Sequence, residues 1–135
     1  MDRPGRRKMT GHRLEVMSST MGICRLEAGQ TVPRWAARAG FFSITATSDE
    51  VSVVCPEPSI PEGVVCSRGW RALKVKGPLD FSKVGVLAAL AGPLARAKIS
   101  IFVISTYDTD ILMVRSADLH KAVDVLVEAG HRVDG

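Results

Sequence analysis

Ser105, Thr106, Tyr107, Asp108, Thr109 and Asp110 form the one polar cluster in this sequence whose placement looks deliberate, between the apolar runs ISIFVIST and ILMV. Two carboxylates and three hydroxyls at such spacing can accept the amides of a tight turn, which is what Asp, Ser and Thr commonly do between strands. They do not make a hydrolytic triad, because Ser105 beside Asp108 has no histidine within the cluster. His12, His120 and His131 fall near the start of the chain, in the last helical pattern and just after it, with nothing tying them to a nucleophile. Cys24, Cys55 and Cys66 show no CxxC pair and no zinc-ligand spacing, so buried, reduced thiols are the expectation; a Cys55–Cys66 bridge or a reactive Cys66 beside Arg68 are the other readings. Gly77, Gly85 and Gly92 are too dispersed to cradle a phosphate. The residues therefore point away from an enzyme and call for no metal or cofactor.

The elements that must position this cluster lie on either side of it. Val84, Leu87, Leu90 and Leu94 recur at three- and four-residue steps, which predicts an amphipathic helix over residues 83–97 with those four on its buried face. Asp80 or Ser82 can cap its first turn, and Gly85 marks a place of close approach to the backbone. Pro93 lacks an amide proton and crowds the carbonyl of Ala89, which predicts a kink or tightened turn. ISIFVIST reads as a strand covered on both faces, followed by a turn at residues 107–110 and a second strand at 111–114.

The 46% hydrophobic content over 135 residues suits one compact domain or two small ones. No apolar run is long enough to span a membrane, and no signal-peptide core follows the basic start, so a cytoplasmic location without membrane association is expected. The formal charge of +4 is uneven: residues 1–15 carry +3 and the rest +1. That is a basic tail rather than a basic face, which argues against a nucleic-acid partner. Residues 1–20 lack a hydrophobic period and read as a flexible tail, with Met17 and Met21 as alternative translation starts and the fold beginning near Met21.

Beyond the tail, residues 22–26 read as a short strand, and Pro33 opens a short helix through Trp35, Ala36 and Ala39 that Gly40 ends. Strands at 41–46 and 51–55 flank a turn at 47–50, and Pro56, Pro58 and Pro61 impose a loop. Leu73 and Val75 alternate with Lys74 and Lys76 in a further strand that Gly77-Pro78 closes. Leu119, Ala122, Val123, Leu126 and Val127 describe a last helix capped by Ser116 and stopped by Gly130, before a short closing strand at 131–133. Trp35 and Trp70 read as core or interface anchors. The second half is thus a βαββαβ string, and an offset of sixty residues aligns Phe42 with Phe102, Ile44 with Ile104, Glu50 with Asp110 and Val54 with Val114. An internal duplication follows: an α+β protein of two ferredoxin-like units, the N-terminal one (21–68) degenerate and the second at 69–135.

FFSIT, EVSVVCPE, GWRALKV, GPLDFS and IFVISTYDTD together resemble the small ACT-domain proteins of bacteria, whose paired domains are similar to those of the CASTOR arginine-sensing proteins of animals. The resemblance covers residues 21–131. It implies a non-catalytic regulatory protein that binds a small effector, usually an amino acid, at an interface between ACT units. The expected partners are that ligand and either a second copy or a regulated protein. By position it implies a ligand region at Ser82, Val84, Gly85 and Val86, and along Ser105, Thr106, Tyr107, Asp108, Thr109 and Asp110. A zwitterion would find amide donors for its carboxylate at the helix start and a carboxylate for its ammonium at Asp108 or Asp110. The Tyr107 ring is expected to pack, with its hydroxyl reaching the site. The competing reading is an interaction module with a vestigial pocket.

Overall fold

The computed structural model describes residues 11–38, 40–77 and 84–135. Asp80, Ser82, Lys83, Pro78 and Ala39, like residues 1–10 of the basic tail, lie outside them. The fold is mixed α and β. Its contacts divide the chain into two compact units, one made of the N-terminal residues to Ser18 with Arg71–Gly135, the other of Ser19–Trp70.

The first unit holds the start of β1 (Arg13–Glu27), the end of β4 (Cys66–Val75), α1 (Val86–Arg96), β5 (Ile101–Ser105), β6 (Asp110–Arg115), α2 (Leu119–Glu128) and β7 (Arg132–Asp134). Its strands lie in the order β7-β1-β4-β6-β5. β1 and β7 run parallel, Arg13 opposite Arg132 and Glu15 opposite Asp134. Residues 13–20 are therefore strand, not tail, and the paired strand begins N-terminal to both Met17 and Met21. Leu14 is fully buried, and the short alternation it starts is masked in the sequence by the Ser18-Ser19-Thr20 run.

Both helices cover one face of these strands, where Leu14, Leu73, Val75, Leu90, Leu94, Leu112 and Leu126 form the core. α1 buries Val86, Leu90 and Leu94, whereas Val84 is 91% exposed and Leu87 lies at the surface. The helix begins two residues after Val84, so Val84 lies outside it, and the buried stripe runs at four-residue steps through Val86, Leu90 and Leu94. Val127 of α2 is likewise 52% exposed. β6, not β5, is covered on both faces: Ile111, Leu112, Met113 and Val114 are all buried, while β5 is only half-buried because it is the edge of the order.

Helix ends follow local chemistry. At the end of α2 the His131 amide donates to the Leu126 carbonyl and the Gly130 amide to that of Val127, a paired closure that needs the positive φ of Gly130 (100°). α1 ends the same way with Lys98 at φ 63°, its amide donating to Ala95 and that of Ile99 to Leu94. Ser116 does not cap α2 but opens a 3₁₀ turn, Ser116–Asp118, that leads into it. α1 continues through Pro93 as an α-helix. The Ala89 carbonyl, deprived of an amide four residues on, is taken instead by His131 Nε2 at 3.1 Å. Nδ1 of the same ring accepts from the His12 amide at 3.0 Å, so the neutral Nε2–H form satisfies both bonds.

The second unit orders its strands β2-β3-β1-β4, with β2 (Ser43–Ala46) and β3 (Glu50–Pro56) as a hairpin. Where helices might stand there are 3₁₀ turns, Arg34–Ala37 and Glu57–Ser59. Pro33 precedes the first of these rather than lying in it. Cys24, Ala36, Val51, Val53, Cys55 and Ile60 form its core, with Trp35 packed against them. Trp70 is 6% exposed and donates from Nε1 to Ser67 Oγ at 3.0 Å, so both tryptophans serve the core. All three cysteines are free thiols, Cys24 and Cys55 buried.

The two hairpins correspond at an offset of fifty-nine residues, not sixty. Ser43 pairs with Val54 and Ala46 with Val51; Phe102 pairs with Met113 and Ser105 with Asp110. Since successive residues of a strand face opposite ways, a slip of one would exchange the inner and outer faces. At fifty-nine, core-packed Ile44 matches core-packed Val103, and Thr47 matches Thr106.

Candidate functional site at the end of β4

β4 ends at Val75, and the chain re-enters the described structure at Val84 to begin α1. Gly85 is the N-cap, at φ 83° and ψ 0°. A Cβ there would meet nothing within 4 Å, so glycine is required by the left-handed backbone and not by close approach. Among the described residues no side chain caps this helix, and its first intrahelical bond runs from the Ala89 amide to the Gly85 carbonyl. The amides ahead of Ala89 form the positive end of an eleven-residue helix.

The β5–β6 turn is closed by threonine. The Thr106 amide donates to the Thr109 carbonyl at 2.7 Å, and the Thr109 amide to Thr106 Oγ1 at 3.1 Å. Thr109 is 6% exposed, and its hydroxyl donates to the Val75 carbonyl at 2.6 Å. That bond fixes the turn against the end of β4, the strand that leads to α1. Ser105 Oγ donates to Asp110 Oδ1 at 2.6 Å across the last pair of the hairpin.

Strand alternation decides which way these groups face. Ser105 shares its side of β5 with Val103 and Ile101, and Asp110 shares its side of β6 with Leu112 and Val114, all packed in the helix-covered core. Ser105 and Asp110 therefore stand at the rim of the face that α1 covers. The sequence-expected residues divide accordingly. Ser105, Thr106, Thr109 and Asp110 are drawn together, with Asp108 exposed at the tip. The Val86 side chain is spent on the core, so only its backbone amide can serve a ligand, and the Thr109 hydroxyl is spent on Val75. The Tyr107 ring is 81% exposed rather than packed, because it points from the turn tip. Ser82 lies outside the described residues.

The Val75 carbonyl was not legible as part of this corner; only a buried threonine hydroxyl in need of an acceptor reveals it. Asp108 and Asp110 take no ion pair within 4 Å among the described residues. No group of three or more metal-ligating side chains occurs among them, and no helix there is long and apolar enough to cross a membrane.

A family model of the ACT domain matches residues 65–128, and a second model, of an N-terminal domain, matches residues 19–63. The human cytosolic arginine sensor for mTORC1 subunit 1 is 40% identical over 94 residues, 64% of this chain and 29% of its own length. The rat protein of the same name is 28% identical over 111 residues, 71% of this chain and 34% of its own. The chain thus spans about a third of the length of the curated relatives it matches. Among solved structures, protein Atu0741 from Agrobacterium tumefaciens superposes with a TM-score of 0.88 at 42% identity, covering 93% of each chain. Aspartate kinase from Clostridium acetobutylicum shares the fold at 13% identity, with a TM-score of 0.63 over 83% of this chain and 33% of its own. The matched region contains α1, the threonine-closed turn and the β4 end that joins them, so residues 65–128 are an ACT domain, carried by a small protein that resembles the CASTOR arginine sensors.

Proposed function

We propose that the protein is a non-catalytic, amino-acid-sensing regulator whose ligand sits between the start of α1 and the β5–β6 turn. The observation that carries this reading is the Thr109–Val75 bond. It holds a carboxylate-bearing turn beside the chain entering an uncapped helix, on the face where Ser105 and Asp110 converge. Amides at Val86 and its successors suit the ligand carboxylate, with Val84 and Gly85 on the approach. Asp110, already oriented by Ser105, suits the ammonium, and Asp108 suits a cationic side chain. Thr106, Thr109 and Tyr107 complete the rim. The relatives named as arginine sensors support an amino-acid ligand.

The second unit fits a degenerate copy of the same plan. Its order β2-β3-β1-β4 is the second-third-first-fourth order of a ferredoxin-like sheet, with 3₁₀ turns in place of helices. Ligand occupancy would favour one arrangement of the α1 start and the β5–β6 turn, which a regulated protein or a second copy could read. A second reading, an interaction module, is favoured by the exposure of Val84 and Tyr107 at this same corner.

Thermal-shift measurements with each of the twenty amino acids separate the two. A ligand present at about a hundred times its dissociation constant adds about 2.7 kcal/mol, a shift on the order of 8 °C for a chain of this size. Asp110→Asn and Asp108→Asn should each diminish that shift while leaving the unliganded melting temperature nearly unchanged. Absence of any shift at millimolar ligand would favour the interaction module; a shift indifferent to both substitutions would move the site elsewhere.

A further inference from the structure

A cleft lies in the first unit, away from this corner. It has a volume of about 410 Å³, in the range of small-molecule sites, and is lined by Val16 of β1, Arg71 of β4, Leu119 and Val123 of α2, and Val133 and Asp134 of β7. Arg71 is the unusual member. It alternates with Leu73 and Val75, so its side chain leaves β4 on the helix-covered face, where the rest of the strand is aliphatic. Its Nη2 donates to the Met17 carbonyl at 3.1 Å, and among the described residues its buried Nε meets no hydrogen-bond acceptor and no carboxylate lies within 4 Å of the guanidinium. A half-buried cation with an orphaned donor is a cost that folding alone does not recover.

The nearby acid does not relieve it. Asp134 is shared among Arg13, Lys76 and Arg132 at 3.7 to 3.9 Å, which leaves the surroundings net positive. His120, at the mouth, is 93% exposed and turned toward Asp124. The cleft therefore offers one guanidinium at its inner wall and aliphatic side chains from both the strands and the helix. Four residues of extended strand separate Arg71 from Val75, roughly 13 Å, so this is not the corner described above.

The geometry assigns to this cleft a second binding site, for a small carboxylate with a branched aliphatic body. The carboxylate meets the Arg71 guanidinium in a charge-assisted hydrogen bond, and the aliphatic part lies against Val16, Leu119, Val123 and Val133. No ammonium is needed, since Asp134 is already engaged.

The test is an amide-resolved NMR titration of the full chain with 4-methylpentanoate, with 3-methylbutylamine as the cationic counterpart. The acid should give saturable shifts confined to residues 16, 71, 119–123 and 133–135, and the amine none. Arg71→Gln should weaken binding at least tenfold, and Val123→Phe, which fills the cleft from the half-exposed side of α2, should abolish it while leaving the remaining spectrum dispersed. Shifts centred on residues 85–86 and 105–110, binding indifferent to both substitutions, or no saturation by about 20 mM acid, weaker than roughly 2 kcal/mol of binding free energy, would each overturn the assignment.

Discussion

Replacing His131 by Phe tests the bond that lets α1 pass through a proline. The ring is 7% exposed and bonds two backbone groups from distant segments, the Ala89 carbonyl and the His12 amide. Each bond is worth about 1 kcal/mol net, and more where the abandoned group is buried, so His131→Phe should cost about 2 kcal/mol. Pro93→Ala supplies the missing amide and gives Ala89 an intrahelical donor, so it should stabilise by about 1 kcal/mol, less than the full peptide penalty because His131 already offsets part of it. The informative quantity is the coupling. In the Pro93→Ala background the Ala89 carbonyl no longer depends on the imidazole, and His131→Phe should cost only about 1 kcal/mol, a coupling of about 1 kcal/mol. Urea denaturation of the four proteins, followed by far-ultraviolet circular dichroism, reads this directly, since both α-helices lie in the first unit while both tryptophans lie in the second. Additivity within about 0.3 kcal/mol would refute the compensation, whatever the single substitutions do.

Lys98 occupies a left-handed position at φ 63°, which costs a residue with a Cβ about 1 kcal/mol, so Lys98→Gly should raise the stability measured by urea unfolding by about 0.5 kcal/mol after the added freedom of the unfolded chain is deducted. Burial first, and then the neighbouring Cys55 and Cys66 thiols, pushes Cys24 up to about 12, and burial raises Cys55 as well. The unfolded thiol ionises near the usual value of about 8.5, so above that pH the unfolded state binds fewer protons; stability from Cys24 is intact at neutral pH and declines, by at most about 1.4 kcal/mol per pH unit, as pH rises toward 12. Denaturation at pH 7.5, 9 and 10.5 should show a shallower decline for Cys24→Val than for the parent, and equal declines would count against the shift.

Much of the geometry at this corner was readable because it is local. Thr106 and Thr109 lie three apart, and their mutual bonds need only the turn between them. Asp110 falls opposite Ser105 as soon as the hairpin register is set. Gly85 was singled out correctly but for the wrong reason: composition marks a glycine as special without saying whether space or backbone angle demands it. Val84 was misplaced because the helix begins after it, and Leu87 because it lies at the margin of the stripe that Val86, Leu90 and Leu94 define.

Arg71 shows the same boundary from the other side. Its place on the same side of β4 as Leu73 and Val75 went unread in the sequence, and what surrounds it comes from β1, α2 and β7, far along the chain. By itself the sequence determined the two helices of the first unit, the threonine turn, the Gly130 stop and the family, since each rests on periodicity or on contacts within a few residues. Only the tertiary structure decided that β1 enters between β4 and β7, that Thr109 is tied to Val75, and that His131, forty-two residues from Ala89 and one hundred and nineteen from His12, holds both. Those pairings join groups whose need for a partner is evident in each alone, but whose choice of partner is made only when distant segments are brought together.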